Sequence, residues 1–534
     1  MATGAAKVTF TVKDISERAA GISLSSAAIV FGSNKGSLVP ELITSTTQFQ
    51  EEYGDPATTD LAMHCALGYL QEGNQLYACR VVDGALHGGV SITSGTPVSY
   101  ATVTGVADIL GTLSFEADTL FICFAKDPGT WNNDLGIKIS DVDPYYHYFT
   151  VTVQDEDENG VLQTVETFTE CSRDKIVDGY GNSMYIEDRI NGASKYIYVR
   201  NNTDIVGTTD PAAVATAVQP AAGTNGSTIS AAELIVGWNL FTDTEAYDLR
   251  ILINGGYTDS SVQTKIKTVA EARLDCVAIL DVPLASTDAA DAVTFRTTTQ
   301  NYNTSYCALE TPWLKIYDEF NGAVISIPKS GDVAAMYALT DRQYGFAGGA
   351  PAGLNRGVFP RAVGLRFNTL TKTTYTAGEL DTMADNQLNP IKNDKGYGIV
   401  QWGESTLLSR QSALRDVHIR RLINQIGIQA TELCKTYLFE PLLISTYYRV
   451  QTTVDQYMRD LDGLGAFDNG TPDAPTVGYR VVVDSTNNTP SDRDNDILNV
   501  WLYVKPVKVA KYVQIKCVIT RSSASFDAVI AAGI

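Results

Sequence analysis

The chain contains 534 residues, of which 44% are hydrophobic and 19% are charged, and its formal net charge is −21. This length exceeds what one hydrophobic core supports, so we expect about two to four domains. The negative charge disfavours nucleic acid or an anionic membrane as the main partner, and no apolar run reaches the roughly 18 residues of a membrane span.

The N-terminal segment and the cysteines indicate the compartment. Residues 1–10 have neither the basic nor the apolar region of a secretory signal peptide, so we expect a protein that folds in the cytosol. The cysteines form neither CxxC pairs nor Cys/His clusters, which predicts buried, reduced thiols rather than disulfides or zinc sites. They stand at positions 65, 79, 123, 171, 276, 307, 434 and 517.

The first part of the chain has an α/β pattern. Alternation predicts a strand over residues 7–13, and the apolar run Ala27–Phe31 predicts a buried strand. Two helices, at 47–53 and 59–71, and a strand at 76–82 follow.

A β-rich segment occupies about residues 88–224. Short apolar runs separated by Gly, Asn, Asp and Pro predict strands there, and we interpret the segment as an insertion. Residues 211–230 are rich in small residues without periodicity, which predicts a loop. The predicted strands cover 119–125, 136–140, 147–153, 161–168 and 196–200.

The α/β pattern then resumes. A strand at 249–253, a helix at 260–273 and a strand at 275–281 predict a βαβ unit with a right-handed crossover. Further predicted elements are a helix at 288–302, strands at 313–317 and 323–327, and a helix at 332–344.

Two amphipathic helices and two strands are predicted in the C-terminal third. An apolar stripe from Ile419 to Tyr437 predicts a helix that ends before Pro441. A second stripe runs from Tyr447 to Leu461, with Ser445 as the expected N-cap and a stop at Gly463. The strands are expected at 498–504 and 511–520.

Several blocks resemble, in order, the tail sheath family of contractile bacteriophages. They are residues 16–55, PGTWNND (128–134), DCVAILDVP (275–283), TPWLKIYD (311–318), residues 327–357, LNPI (388–391), GYGIVQWGESTL (396–407), HIRRLINQI (418–426), YLFEP (437–441) and GLGAF (463–467). Glu404 stands where the family usually has Arg, and Leu442 where it usually has Asn.

The resemblance implies an α+β, multidomain fold. An inner α/β assembly domain would be formed by both chain ends, residues 1–23 and 371–534. A middle α/β domain would comprise 24–88 and 225–370, and an outer β-rich inserted domain would comprise 89–224.

The resemblance also implies a structural, non-enzymatic function without cofactors. Copies would form stacked hexameric rings in a helical sheath around a tail tube protein, with baseplate and tail terminator proteins as further partners. We expect assembly in the host bacterial cytoplasm, localisation in the virion tail, and neither nucleic-acid binding nor membrane insertion. A phage-derived contractile injection device, such as a bacteriocin, would use the same kind of subunit.

Two terminal strands are candidates for exchange between subunits. Neither has a hairpin partner nearby, so its backbone groups must pair elsewhere, and a neighbour's sheet would satisfy them. The residues concerned are Val8, Phe10, Val12, Tyr512, Gln514, Ile515, Cys517 and Ile519.

A basic cluster, Arg415, Arg420, Arg421 and Lys435, stands out in so acidic a chain. It is either a solvated helix face or a contact with the tube or another subunit, where Arg would bond to carboxylates.

Two motifs are typical of other functions. Asp155, Asp157, Asn159, Gly160 and Glu166 match a calcium-loop pattern, but alternating flanks predict a hairpin instead of helices. A hydrolase or nucleotide-binding enzyme would need a catalytic triad or a phosphate loop, and the turn at 32–37 lacks the phosphate-loop spacing.

Overall fold

A computed structural model describes residues 25–103, 115–157, 159–345, 349–471 and 474–511. The chain divides into two compact units: residues 1–346 with 351–429, and residues 347–350 with 430–534. The fold is mixed α/β with several sheets, in agreement with the predicted class, while the three-domain division stays a prediction.

Strands and helices both occur throughout the described residues. The strands are β1 (Ala27–Phe31), β2 (Glu41–Ile43), β3 (Leu76–Arg80), β4 (His87–Thr93), β5 (Val98–Val103), β6 (Thr119–Ala125), β7 (Leu135–Asp143), β8 (Tyr148–Glu156), β9 (Leu162–Cys171), β10 (Ile197–Asn201), β11 (Ile251–Ile253), β12 (Val277–Asp281), β13 (Cys307–Glu310), β14 (Trp313–Asp318), β15 (Ala323–Ile327), β16 (Ala362–Arg366), β17 (Leu388–Asn389), β18 (Ile391–Asp394), β19 (Gly398–Gln401), β20 (Gly470–Thr471), β21 (Ala474–Pro475), β22 (Tyr479–Val482) and β23 (Trp501–Val504). The helices are α1 (Thr46–Tyr53), α2 (Leu61–Leu70), α3 (Ile186–Ile190), α4 (Ala231–Leu240), α5 (Ser260–Arg273), α6 (Ala289–Thr294), α7 (Ser330–Tyr344), α8 (Ala377–Asp385), α9 (Val417–Lys435), α10 (Ile444–Gly463) and α11 (Pro490–Asp494).

A seven-stranded sheet forms the centre of the larger unit. Its strand order is β17-β13-β12-β11-β1-β3-β2, and every pairing is parallel except that of β2 with β3. Parallel strands with both faces covered are apolar along their whole length, and every residue of β1 is buried. The predicted βαβ unit is present as β11, α5 and β12, with adjacent parallel strands.

The helices that cover this sheet pack closely against one another. Helix α2 has nine buried residues out of ten, and α7 crosses it at Gly331. A Cβ at Gly331 would lie 2.2 Å from the main-chain oxygen of Cys65 in α2. Only glycine therefore permits this contact between the two helices.

The inserted segment folds around its own core. One sheet has the order β10-β6-β4-β5 and another the order β7-β8-β9, all antiparallel. Apolar residues of both sheets form one buried cluster, in which Phe121 and Phe149 stack with ring centres 5.5 Å apart. The insertion therefore does not depend on the seven-stranded sheet for its core.

The smaller unit combines α10 with the β22–β23 hairpin. Val450, Val454 and Leu461 are buried on one stripe of α10, as its periodicity predicted, whereas Met458 is buried in place of the predicted Tyr457, which is only half-buried. The predicted N-cap was wrong: the cap position is Leu443, and Ser445 lies inside the helix. Among the described residues of the chain, no helix is both long and apolar enough to cross a membrane.

Other predicted elements match to different degrees. The bounds of β1, β6, β15 and α5 are those expected from the sequence. The helix expected over 288–302 is divided into α6 and a π-helical turn, Phe295–Gln300. The terminal strands expected at 7–13 and 511–520 lie outside the described residues, apart from Lys511.

The calcium-loop motif lies in a β-hairpin, as its alternating flanks predicted. Strands β8 and β9 pair antiparallel on either side of the turn. The Asp157 carboxylate accepts hydrogen bonds from the main-chain N–H groups of Asn159 and Val161, at 2.9 and 3.0 Å. Glu166, the position of the bidentate calcium ligand in a true loop, accepts hydrogen bonds from the Ser194 hydroxyl and the Lys195 N–H instead.

We expect this hairpin not to bind calcium at physiological concentrations, because Asp157 and Glu166 already serve the backbone of the turn and of a neighbouring loop. Calorimetry with millimolar calcium should give no saturable heat. Micromolar binding that Asp155→Ala abolishes, while Asp141→Ala near the end of β7 does not, would contradict the hairpin assignment.

Candidate assembly surfaces

The basic cluster predicted on α9 does not form one exposed face. Arg420 and Arg421 are only 8% and 6% exposed, because the N-terminal half of α9 is buried on all sides of the helix. Arg415 is half-buried and donates a hydrogen bond to the main-chain oxygen of Ala384 at 3.1 Å. Lys435 lies in the smaller unit, where it pairs with Glu432 at 2.6 Å.

Arg421 holds α9 to α7 through a buried ion pair. Its Nη1 lies 3.1 Å from Oδ1 of Asp341, and Nη2 contacts the other carboxylate oxygen. The guanidinium also lies over the ring of Tyr337, 4.7 Å from its centre. Burial raises the pKa of Asp341, although the charge of Arg421 acts in the opposite direction.

Arg420 has different partners. Its guanidinium lies 4.4 Å from the ring centre of Tyr306, and its Nε donates to Oδ1 of Asn424 at 2.8 Å. Burial lowers the pKa of Arg420. The expectation that these two arginines are exposed was therefore wrong, because within the chain they stabilise the position of α9.

Glu404, which stands where the family usually has Arg, has a partner on α9, the helix that carries Arg420 and Arg421. Its carboxylate lies 2.8 Å from Nδ1 of His418 and also accepts a hydrogen bond from the His418 main-chain N–H. The unusual residue is thus accommodated at the N-terminus of α9, where a helix favours negative charge.

The terminal strands proposed for exchange lie outside the described residues. This applies to Val8, Phe10 and Val12 at one end, and to the second set, which consists of Tyr512, Gln514, Ile515, Cys517 and Ile519. Strand exchange therefore stays a prediction.

Sequence reasoning missed an exposed apolar patch at the turn between α9 and α10. Phe439 is fully exposed and has φ of 66°, in the region that aromatic residues rarely adopt. We define the α9–α10 turn patch as Leu438, Phe439, Leu443, Ile444 and Tyr448, all exposed. The run LFEPLLI, apolar on both sides of Pro441, was the available signal, and such a patch is typical of an interaction site.

The cleft at the carboxyl end of the central sheet is shaped by turns. It has a volume of about 580 Å³ and lies beyond the ends of the adjacent strands β1 and β11. The strand order changes direction at this pair, because β3 follows on the side of β1 and β12 and β13 follow on the side of β11. Open α/β sheets bind ligands at such a point. However, the chain after β1 leads to strand β2, so the turn at 32–37 does not open a helix as a phosphate loop does.

Polar groups around this cleft are bonded to one another. Oδ1 of Asn225 accepts a hydrogen bond from the Thr130 N–H at 2.8 Å, and its Nδ2 donates to Asn34 at 3.0 Å. Nearby, burial raises the pKa of Asp281 to about 6. That carboxylate accepts hydrogen bonds from the N–H groups of Ser330 and Gly256, which holds the turn after β11 against α7.

We expect Arg421→Glu to reduce the free energy of unfolding by about 3–5 kcal/mol, because it leaves two carboxylates facing each other in a buried site. The midpoint of urea unfolding measures the change. Lys435→Glu, an exposed substitution on the same helix, is the control and should change stability by less than about 0.5 kcal/mol. Equal stability of the two variants would contradict the burial of Arg421.

Comparison with known proteins identifies relatives of this chain. No protein-family model matches the sequence. The tail sheath protein of Enterobacteria phage T4 is 27% identical over 390 residues, which cover 69% of this chain and 56% of the T4 protein. The tail sheath protein of Salmonella phage ViI is 23% identical over 476 residues, which cover 82% of this chain and 70% of the ViI protein.

Solved structures share the fold. The sheath tail protein Lin1278 from Listeria innocua superposes with a TM-score of 0.56 at 12% identity, over 86% of this chain and 89% of that protein. The helical sheath of the anti-feeding prophage in its contracted state gives a TM-score of 0.53 at 14% identity, over 97% and 99% of the two chains. The chain spans little more than half the length of the T4 relative. It is homologous to phage tail sheath proteins, and it has the mixed α/β fold of solved sheath proteins.

Proposed function

We propose that this chain is a structural subunit of a contractile tail sheath. It would polymerise helically around a tail tube and contract to drive the tube through the bacterial envelope during genome delivery. The observation that carries the proposal is the match to the T4 tail sheath protein over 69% of the chain. The superposition on a solved sheath protein over 86% of the chain supports it.

We propose three domains in the subunit. Residues 1–23 with 371–534 are the inner assembly domain, 24–88 with 225–370 the middle domain, and 89–224 the outer domain. The separate core of the inserted segment supports the outer domain. The isolated bridges between Asp83 and Ser227 and between Leu86 and Thr224 support an insertion whose two ends leave the middle domain together.

A contractile polymer needs contacts that persist in two packings. A heterologous interface that does not close by rotation gives an open helical filament, and two packings of different free energy store the work of contraction. A net charge of −21 opposes association of the copies. Association therefore depends on apolar and main-chain contacts, for which the α9–α10 turn patch and the terminal strands are our candidates.

The proposed partners follow from this assembly. They are further copies of the chain in stacked hexameric rings, the tail tube protein, and the baseplate and tail terminator proteins. Arg415 and Lys435 remain candidates for tube or subunit contact, whereas Arg420 and Arg421 have partners within the chain. The function needs no catalytic group or cofactor, and the site of action is the virion tail after assembly in the host cytoplasm.

A phage-derived contractile injection device is the second candidate. The superposition on the contracted anti-feeding prophage sheath over 97% of this chain favours it. The subunit chemistry would be the same, and capsid genes beside the gene for this chain would favour the infectious virion.

We expect the purified full-length chain to form long hollow tubes in the contracted arrangement. Without tube and baseplate, subunits fall into the packing of lower free energy. Negative-stain microscopy would reveal the tubes. The variant without residues 1–14 should stay monomeric if strand exchange links the copies, and a full-length chain that stays monomeric at high concentration would contradict the proposal.

Replacing the apolar patch should prevent these tubes. Phe439→Ser with Leu443→Ser removes apolar surface that is exposed in the free subunit, so the fold should persist while polymerisation fails. Sedimentation and microscopy measure the polymer. The control is Tyr180→Ser with Val206→Ser, two exposed apolar residues of the proposed outer domain, which should polymerise normally; loss of tubes in both variants, or in neither, would contradict this role.

A further inference from the structure

The three-stranded sheet β15-β14-β16 leaves one of its faces open. Strand β14 is the central strand, and both of its pairings are antiparallel. Successive side chains of a strand point to opposite faces, and Leu314 and Ile316 are buried in the core of the larger unit. Lys315 and Tyr317 therefore lie on the other face, which we call the open face of this sheet.

Exposed apolar side chains occupy the open face and its edge. Tyr317 is 56% exposed and stands directly opposite Val324, which is 59% exposed. The register of β14 and β16 shifts next to Lys315, so that Val363 on the edge strand β16 has no residue opposite it and is 61% exposed. Such a cluster of exposed apolar side chains is typical of an interaction site.

Lys315 gives the open face a positive charge that takes part in no ion pair within the described residues. It stands opposite Gly364, and a Cβ at Gly364 would lie 3.5 Å from Cδ of Lys315, so the aliphatic part of the lysine lies close to the sheet. Within the same part of the chain, the lysines that do form ion pairs are Lys267, Lys329, Lys372, Lys392 and Lys435. In a chain of net charge −21, a lysine without such a partner suits a carboxylate of a second copy.

The α9–α10 turn patch carries the complementary charge. Glu440 follows Phe439 in this turn and lies between apolar residues of the patch. Its carboxylate pairs with Arg449 at 3.2 Å, and both side chains are exposed. An exposed pair contributes little free energy, and Arg449 also lies 5.9 Å from the ring centre of Tyr437. Glu440 can therefore exchange this partner for another cation.

Other exposed apolar surfaces fit the open face less well. On the β22–β23 hairpin, Tyr503 is exposed but stands directly opposite Arg480, so this surface repels Lys315. At the β7–β8 turn, Tyr145 is exposed, but the nearby Asp143 carboxylate already accepts a hydrogen bond from its main-chain N–H at 2.8 Å. Of these three surfaces, the α9–α10 turn patch offers the carboxylate that is available to a lysine.

We propose that the α9–α10 turn patch of one copy docks on the open face of the β15-β14-β16 sheet in a second copy, with Glu440 paired to Lys315. This docking rests on the proposed sheath function and gives the patch its partner surface. The contact removes the exposed apolar side chains of both surfaces from water. The ion pair fixes the register of the two copies.

The two surfaces are different, and each copy carries both of them. The patch lies in the smaller unit and the open face lies in the larger one. A head-to-tail interface of this kind leaves one unused surface at each end of a row of copies, so further copies add and an open filament forms. A twofold interface between identical surfaces would end at the dimer.

Cross-linking of isotope-mixed tubes tests the contact. Unlabelled and ¹⁵N-labelled full-length subunits are mixed before assembly, and a carbodiimide then joins amines to carboxylates that touch. Mass spectrometry of the digest should find Lys315 linked to Glu440 in pairs of one labelled and one unlabelled peptide, because the two residues belong to different copies. Tubes without this link, or with the link only between peptides of the same label, would overturn the docking. A wild-type chain that forms no tubes would contradict the sheath function itself, and the docking with it.

Charge reversal tests the ion pair. Lys315→Glu and Glu440→Lys should each abolish tube formation in sedimentation and microscopy, and the double variant should restore it. The midpoint of urea unfolding should change little, because neither residue is in the core. The matched control is Lys138→Glu, which replaces a half-buried lysine on β7 of another antiparallel sheet and should form tubes normally. Tubes from either single variant, or none from the double variant, would contradict the pairing.

Discussion

The main constraint on this molecule is that a parallel sheet must be covered on both faces. Strand β1 pairs with β3 on one side and with β11 on the other, although β11 begins at Ile251. The chain therefore has to leave the sheet after β3, fold the β-rich insertion around a separate core, and return to the neighbouring position. Isolated β-bridges between Asp83 and Ser227 and between Leu86 and Thr224 pair the start of this inserted segment with its end.

Buried charges then fix how the remaining elements lie against the sheet. Helix α7 carries two buried acidic residues, each paired with an arginine: Asp332 pairs with Arg361 at 2.5 Å, and Asp341 pairs with Arg421 on α9. Such pairs add little net stability compared with apolar residues of the same size, but an unmatched charge in their place is strongly destabilising. Their effect is to permit one arrangement of these elements and to exclude others.

A division between a fixed interior and accessible surfaces would suit the proposed sheath subunit, which would have to change neighbours during contraction. In the larger unit every residue of β1 and nine of the ten residues of α2 are buried, which leaves little apolar surface there for a partner. In the smaller unit, the α9–α10 turn exposes large apolar side chains that a monomer would normally cover. Units with fixed interiors and a few exposed apolar surfaces could change their neighbours without refolding, as the proposed contraction would require.

The sequence alone determined the elements whose own residues fill their core. The apolar run of β1 and the helix expected over 260–273 were both observed, because local pattern and burial coincide there. The alternation around Asp155 to Glu166 likewise predicted the β8–β9 hairpin. The sequence also contained a signal that was overlooked: Ser230 and Glu233 form a capping box that begins α4. The tertiary structure alone decided the burial of Arg420 and Arg421, the position of Ser445 inside α10, and the close approach of Gly331 to Cys65. These features depend on contacts between segments far apart in the chain, and no local pattern of charge or hydrophobicity specifies which distant group will lie opposite.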